Sequence, residues 1–372
     1  MAQKVRIFLV ILIVWAVGFL AWEWWYSYPK VNLDKIRSGR AQTTKLDSIL
    51  LQAIIDYRLP GVTVALVQEG KVSYLKAIGY ANLETKDSLK VDSPILVASV
   101  SKLVTALAVA NVLDDKGIQA QGYISDLGIA SLHSFSSLPN FSLSDLLSHE
   151  SGLRDKTFSE MIFSSSRSQS LQIWGEDFLA HGSKYQTELS YSYADTNFDF
   201  LGFLLSQSEN QDFETLIQNA ALTPAGMVNS SFLTAWPMEI NELTGYQKTF
   251  LWKRLEPKRI NFRIFPSPSS GLLTTTKDMS LLLIHLLRDE MGIFHDALDW
   301  LRDGENVVPL GFQKTKINGS EWIGHFGGQA GYSSLLFYSI EADMGIFFFA
   351  NAKDNEDFRI AIANQIISTI SP

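Results

Sequence analysis

The chain contains no cysteine. That excludes disulfides, a thiol nucleophile and any thiolate metal centre, none of which an exported domain of this size needs in order to fold. It also lacks a Lys/Arg-rich run. Acidic residues outnumber basic ones 39 to 31, the net charge is −8 and the isoelectric point is near 5.3. Nothing here can follow a phosphate backbone, so nucleic acid is not an expected partner. The six histidines show no H-x-H or H-x-x-x-H spacing, and His133, His181, His285 and His295 offer little support for a metal site. No G-K-[ST] follows Gly327 and Gly328, so they do not form a phosphate loop, and no internal repeat stands out. Neither metal nor cofactor is expected.

What is present begins with a long apolar run. Lys4 and Arg6 precede sixteen uncharged residues, 7–22, and Trp24, Trp25, Tyr26 and Tyr28 follow. As a helix the run rises roughly 24 Å at about 1.5 Å per residue, and the aromatics extend it toward a full hydrocarbon core. Basic residues before the run place the N-terminus in the cytoplasm, with the Trp/Tyr cluster at the far interface. The expectation is an uncleaved membrane anchor over residues 1–28, a polar linker over 29–42, and a single-pass protein of the cytoplasmic membrane whose domain, 43–372, is exported. Ala16-Val17-Gly18 has a signal-peptidase pattern, but it sits inside the apolar run, so the anchor reading is preferred.

The remaining chain is rich enough in apolar residues, 46% of the whole against 19% charged, to bury a large core. A helix is expected over residues 43–57. Alternation in 61–68, a Glu69-Gly70-Lys71 turn and a β-rich run at 72–80 form a hairpin signature. Residues 332–339 and 345–351 are two further β-rich runs joined by Glu341-Ala342-Asp343, with a helical stretch at 356–370. The middle, about 103–287, is mainly helical and loop-rich, and the Ser-rich stretch 164–170 reads as a surface loop. The predicted fold is α+β, an α/β sandwich: an antiparallel sheet drawn from both chain ends, flanked by helices, with a helical insertion.

Ser99-Val100-Ser101-Lys102 opens an apolar stretch in which Leu103, Ala106, Leu107, Ala110 and Leu113 recur at helical spacing, ending at Gly117. On a helix, Ser99 and Lys102 share a face, so the lysine can reach the hydroxyl. A second Ser-x-x-Lys, Ser73 to Lys76, falls in a strand, which sends the two side chains to opposite faces.

Other blocks follow in order: Leu146-Leu147-Ser148-His149-Glu150-Ser151-Gly152-Leu153, Tyr193-Ala194-Asp195, Ser270-Gly271-Leu272, and His325-Phe326-Gly327-Gly328 with Gly331-Tyr332. With the Pro60 to Ala81 hairpin they resemble serine hydrolases of the class C β-lactamase and DD-peptidase type. The resemblance runs from about residue 46 to the C-terminus. It implies that Ser99 is the nucleophile, with Lys102 and Tyr193 as proton carriers and His325 shaping the site. Backbone N–H groups of Ser99 and Gly328 would form the oxyanion hole, beside Gly327.

A serine hydroxyl needs a base. Lys102 can serve if it is held neutral, and Tyr193 can serve if a charged Lys102 lowers its pKa. The two assignments stay open here. Asp195 stands where the family has asparagine. It cannot donate to a substrate carbonyl, but it can pair with Lys102 and keep it charged. Phe326 replaces a threonine, removing a hydroxyl expected near a substrate carboxylate. Both changes tilt the expected substrate from cell-wall peptides and β-lactams toward a neutral ester or amide. They also motivate a ligand-binding sensor of the same fold as the alternative. His149 reads as structural, Thr275 with Asp278 as a helix cap, and Trp174, Trp236, Trp252 and Trp322 as core or cleft wall.

Overall fold

Alternating Val62, Val64 and Leu66 send their side chains to one side of a strand while Ala65 and Val67 face the other, and both sides are buried. That strand, β1 (Gly61–Gln68), pairs antiparallel with β2 (Lys71–Gly79) as the expected hairpin. The computed structural model describes residues 2–27, 44–130, 132, 139–155, 170–181, 191–233, 243–258, 268–288, 292–302, 308–329 and 331–370. The expected linker, 29–42, lies outside them, as does the Ser-rich stretch apart from Ser170.

The main sheet joins the two chain ends. The other edge of β1 takes up β11 (Met344–Ala350), and β10 (Tyr332–Ser339), β9 (Ser320–Gln329) and β8 (Gln313–Ile317) complete the order β2-β1-β11-β10-β9-β8. Val64 faces Phe348 across the β1–β11 pair, and every described pairing in this sheet is antiparallel. On one face Val62, Val64, Leu66, Leu335, Phe337, Ile346 and Phe348 pack under α2 (Lys45–Tyr57) and α10 (Phe358–Ile370). On the other, Ala65, Leu336, Phe347 and Phe349 join a larger core with the inserted helices. The fold is the anticipated α+β sandwich.

Two sequence-based expectations shift. The stretch after Ser99 was predicted amphipathic, yet α3 (Ser101–Asp114) is buried from Ser101 through Ala110 and again at Leu113. It runs through the interior between sheet and insertion, so from Ser101 to Ala110 no face meets water. The mainly helical middle carries α4 (Leu143–Leu147), α5 (Leu171–His181), α6 (Asp195–Glu209), α7 (Phe213–Ile217) and α8 (Thr276–Leu287). It also holds short strands: β3 (Ile95–Leu96), β7 (Leu272–Thr274) and β4 (Ser231–Phe232) form one small sheet, and β5 (Gly245–Lys248) with β6 (Leu255–Lys258) forms a hairpin. Helix α9 (His295–Leu301) follows the insertion and packs on α3. The apolar N-terminal run forms the expected helix, α1 (Ala2–Tyr26), long and apolar enough to cross a membrane.

Asn351 stitches the hairpin of β5 and β6 to the main sheet. Its buried amide donates to the carbonyls of Tyr80, Ala81 and Thr244. Alanine there removes a buried donor from Tyr80 O and Thr244 O, while Ala81 O keeps the Thr244 N–H, so Asn351→Ala is expected to lower unfolding stability by about 2–3 kcal/mol, measured by urea titration.

Candidate active site

The nucleophile candidate sits on a strained turn. A 3-10 turn, Ala98–Val100, runs into α3, and Ala98 is held at φ 49°, a left-handed conformation unusual for alanine. Ser101 fastens this turn on two sides: its hydroxyl donates to Ala98 O (2.6 Å) and accepts from Leu272 N (3.0 Å). Ser99 is thus presented at the head of α3, and Lys102 lies in the first turn on the same face, as the spacing predicts.

Lys102 is fully buried, and its three N–H donors have three acceptors. Nζ lies 2.6 Å from Asp195 Oδ1, 3.1 Å from Ser269 O and 3.3 Å from Ser99 Oγ. Desolvation, the largest influence, pushes its pKa down, but Asp195 and Tyr193 together outweigh it and hold it above the ordinary lysine value. The pairing of Asp195 with Lys102 is therefore present. Tyr193 closes the other side, its ring centroid 4.9 Å from Nζ and its phenol beside Ser99 and Lys102. Burial raises the phenol above its usual pKa, although the Lys102 charge opposes it.

Tyr193 and Asp195 are placed by the N-terminus of α6, which several residues brace without being legible as site residues in the sequence. Asp155 accepts from the backbone N–H of Asp195 (3.2 Å) and Thr196 (2.9 Å). His149 Nδ1 accepts from Ala194 N (3.3 Å) and from the Asn197 amide (3.2 Å), and Ser151 donates to Asn197 Oδ1 (2.5 Å). The His149 ring stacks 4.4 Å from Tyr193, so the structural reading of His149 holds. Behind Lys102, Ser269 N donates to Asp199, whose carboxyl is pushed up to about 7 by burial and by the nearby Asp195 charge.

Strand β9 supplies the fourth wall. His325 and Gly327 face the cleft side. His325 is buried, its Nδ1 donates to Phe326 O at 2.5 Å, and its ring centroid lies 6.1 Å from that of Tyr193. Gly327 is required by contact: a Cβ there would stand 2.1 Å from Val97 O and 2.2 Å from Ser334 Oγ, so only glycine lets β9 approach the nucleophile turn. Gly328 is exposed and has open space around it. Phe326 departs from expectation. The period-2 alternation of β9 turns it to the opposite face, where it packs on Phe337 (4.7 Å) with the Arg359 guanidinium over its ring, so its phenyl does not line the cleft.

The other residues weighed earlier lie elsewhere. Thr275 caps α8 by accepting from Asp278 N, and Trp322 is core on the α2 and α10 side. Trp174 stacks on Phe178, and Trp252 is exposed beside α1. Trp236 and His133 fall outside the described residues. Among the described residues no cluster of metal-ligating side chains is found.

A hydroxyl on a strained helix-head turn, a buried ammonium three residues on, a phenol across from it and a glycine-walled strand edge define the serine hydrolases of the β-lactamase fold. Residues 41–369 match the family model described as Beta-lactamase, and the chain belongs to that family. A D-aminopeptidase of Brucella anthropi is 28% identical over 291 residues, covering 74% of this chain and 53% of its own length. The Staphylococcus aureus protein flp is 20% identical over 63% of this chain and 47% of its own. The chain thus spans about half the length of these curated relatives. Among solved structures, a D-amino acid amidase from Ochrobactrum anthropi superposes with a TM-score of 0.70 at 19% identity, over 87% of this chain and 98% of its own. A class C β-lactamase gives 0.69 at 17%, over 93% and 99%. At those identities the likeness is one of fold.

Burial and the Lys102 charge pull the pKa of His149 down to about 4 and that of His325 to about 3. Both stay neutral in the folded protein, whereas the unfolded chain protonates them near 6.5. Below that pH the unfolded state binds more protons, so their contribution is complete above about 6.5 and is lost as pH falls toward 4 and 3. Urea unfolding between about pH 6.5 and 5 should show stability dropping by up to about 1.4 kcal/mol per pH unit for each histidine. The slope should be shallower in His149→Gln.

Proposed function

We propose that this protein is a serine hydrolase that cleaves an ester or amide through an acyl-enzyme on Ser99, held by α1 to the outer side of the cytoplasmic membrane. The observation that carries the reading is the contact of Ser99 Oγ with both the buried Lys102 ammonium and the Tyr193 phenol. Ser99 Oγ forms the bond to the acyl carbon and gives up its proton to the site. The leaving alcohol or amine departs with a proton, and water then attacks the acyl carbon and frees Ser99. Backbone N–H groups of Ser99 and Gly328 serve as oxyanion donors, worth about 3–4 kcal/mol each in sites of this type. His325 shapes the floor of the cleft. A small molecule or peptide is the substrate, with β-lactams and cell-wall peptides ranked below neutral esters and amides. The D-aminopeptidase and D-amino acid amidase relatives keep amides in view.

Lys102 is paired with Asp195 and stays charged, so the base role moves to Tyr193, with Lys102 steadying the phenolate. Because the Tyr193 pKa is raised, the phenolate is a minor form at neutral pH and grows as pH rises. Acylation by a fluorophosphonate probe should therefore accelerate from neutral into alkaline pH. Labelling should vanish in Ser99→Ala, and Tyr193→Phe should slow it by about 10²- to 10⁴-fold. Equal labelling of Ser99→Ala and wild type would end the proposal.

Asp195→Asn removes the anion that holds Lys102 charged, so desolvation prevails and the lysine pKa falls. A neutral amine then lies beside Ser99, and the alkaline rise in acylation rate should move to lower pH. An unmoved profile would mean that the ion pair does not set the base. The same pair favours one competing reading, a sensor that acylates without turning over. Steady release of p-nitrophenol from an ester supports the hydrolase, and a single stoichiometric burst supports the sensor.

A further inference from the structure

Glu23 is the one acidic residue in α1, and it is only 3% exposed. Its carboxylate accepts from the backbone N–H of Leu251 (3.2 Å) and Trp252 (3.3 Å), at the tip of the hairpin formed by β5 and β6. Three further contacts lock the same junction. The Trp252 indole N–H donates to Leu20 O (3.3 Å), Arg254 donates to Ser27 O (3.1 Å), and the Arg254 guanidinium lies 3.8 Å from the Trp24 ring centroid. The hairpin tip is thus pinned against the last turns of α1, from Leu20 to Ser27.

That height matters. Measured from Ile7, about nineteen residues at roughly 1.5 Å each bring the helix to Trp25 after about 28 Å, the thickness of a hydrocarbon core. The hairpin tip therefore stands level with the interfacial aromatics. Its composition suits that position: Phe250 is 79% exposed, Leu251 51% and Trp252 42%. These are three consecutive large apolar side chains turned to solvent, whereas outside α1 the other exposed large apolar residues among those described stand singly. Lys253 and Arg254 follow directly. Between tip and helix lies a cleft of about 500 Å³ with Phe19, Trp22 and Phe250 on its apolar side, and its rim carries as many carboxylates as lysines, Lys248 being paired with Glu356. The apolar wall suits the acyl layer of a phospholipid leaflet.

We propose that the β5–β6 hairpin tip is a second membrane contact, inserting Phe250, Leu251 and Trp252 into the interface of the leaflet that α1 enters. This rests on the reading of α1 as a retained span. The proposal accounts for Glu23, since a carboxylate at the end of an apolar span is costly unless its oxygens find donors, and the hairpin supplies them. It also has a consequence for the cleft. Tyr246 N donates to Gly331 O at the β9–β10 turn, and Tyr332 donates to Leu243 O, so the hairpin is fastened to the end of the sheet that carries Gly327 and Gly328. Docking the tip holds the catalytic rim at the bilayer surface, where an ester or amide presented by the membrane would meet it.

The absence of cysteine makes the test direct. Single variants Phe250→Cys, Leu251→Cys, Ile13→Cys and Asp115→Cys of the full chain, each checked to unfold as wild type does, carry a nitroxide in phosphatidylethanolamine–phosphatidylglycerol liposomes. Collision with oxygen relative to a water-soluble nickel chelate then reads depth. The proposal expects ratios at 250 and 251 at least about fivefold above that at 115, the exposed far end of α3, and below that at 13. Lipid-like values at 13 with water-like values at 250 and 251 overturn the second contact and leave the anchor standing. Shielding of 250 and 251 from both agents overturns it in favour of a protein partner or a second copy. Water-like values at 13 sink the anchor and this proposal with it.

Discussion

Burying an ammonium away from water is among the costliest things a fold can do, and Lys102 is wholly buried. Its cost is met because Ser99, from the turn before α3, is joined by two segments distant in sequence, Asp195 from the head of α6 and the Ser269 carbonyl from the loop before β7. Each is secured in turn. Ser269 is held by Asp199, and Thr105 one turn further along α3 donates to the neighbouring Pro268 carbonyl. The head of α6 is held by Asp155 and by the His149–Asn197–Ser151 chain. The cleft is organised around one positive charge, and losing Asp195 would leave it uncompensated in a low-dielectric interior.

The second constraint is the closeness of β9 to the nucleophile turn. Ser334 on β10 donates to Val97 O (2.7 Å), and Arg359 on α10 donates to both Gly327 O (2.6 Å) and Ser334 O (3.1 Å). The C-terminal helix thus braces the strand edge against the turn that presents Ser99. This explains why both chain ends are needed for a site whose nucleophile lies near residue 100. The sheet is completed by pairing β1 with β11, and the approach of β9 follows from that frame. The hairpin of β5 and β6 extends the same rim toward α1.

Much of this was legible in residue patterns because the interactions are local. The β1–β2 hairpin, the two β-rich runs near the C-terminus and the helices at 43–57 and 356–370 appear within one or two residues of their expected bounds, set by turn glycines and by alternation. The Ser99–Lys102 spacing worked for the same reason, since a helix turn brings i and i+3 together, while Ser73 and Lys76 on β2 found separate partners in Leu66 and Asp47. Long-range effects were not legible. The burial of α3 on every side depends on what surrounds it. The bracing by Asp155, Ser151 and Asn197 joins segments 40 or more residues apart. The direction of Phe326 follows from which face of β9 meets α3.

Residue order alone was enough to place a serine and a lysine one helix turn apart, and to give an apolar helix long enough to cross a membrane, through an uncharged run of sufficient length. Both are properties of contiguous chain. Only the tertiary structure decided that Lys102 is held charged, because its protonation depends on the balance between burial and an anion ninety-three residues away. It also decided that Phe326 leaves the cleft and that Glu23 has a partner in a hairpin more than two hundred residues further on. Charge balance, face selection and long-range donors arise from packing in three dimensions, where sequence distance carries no energy.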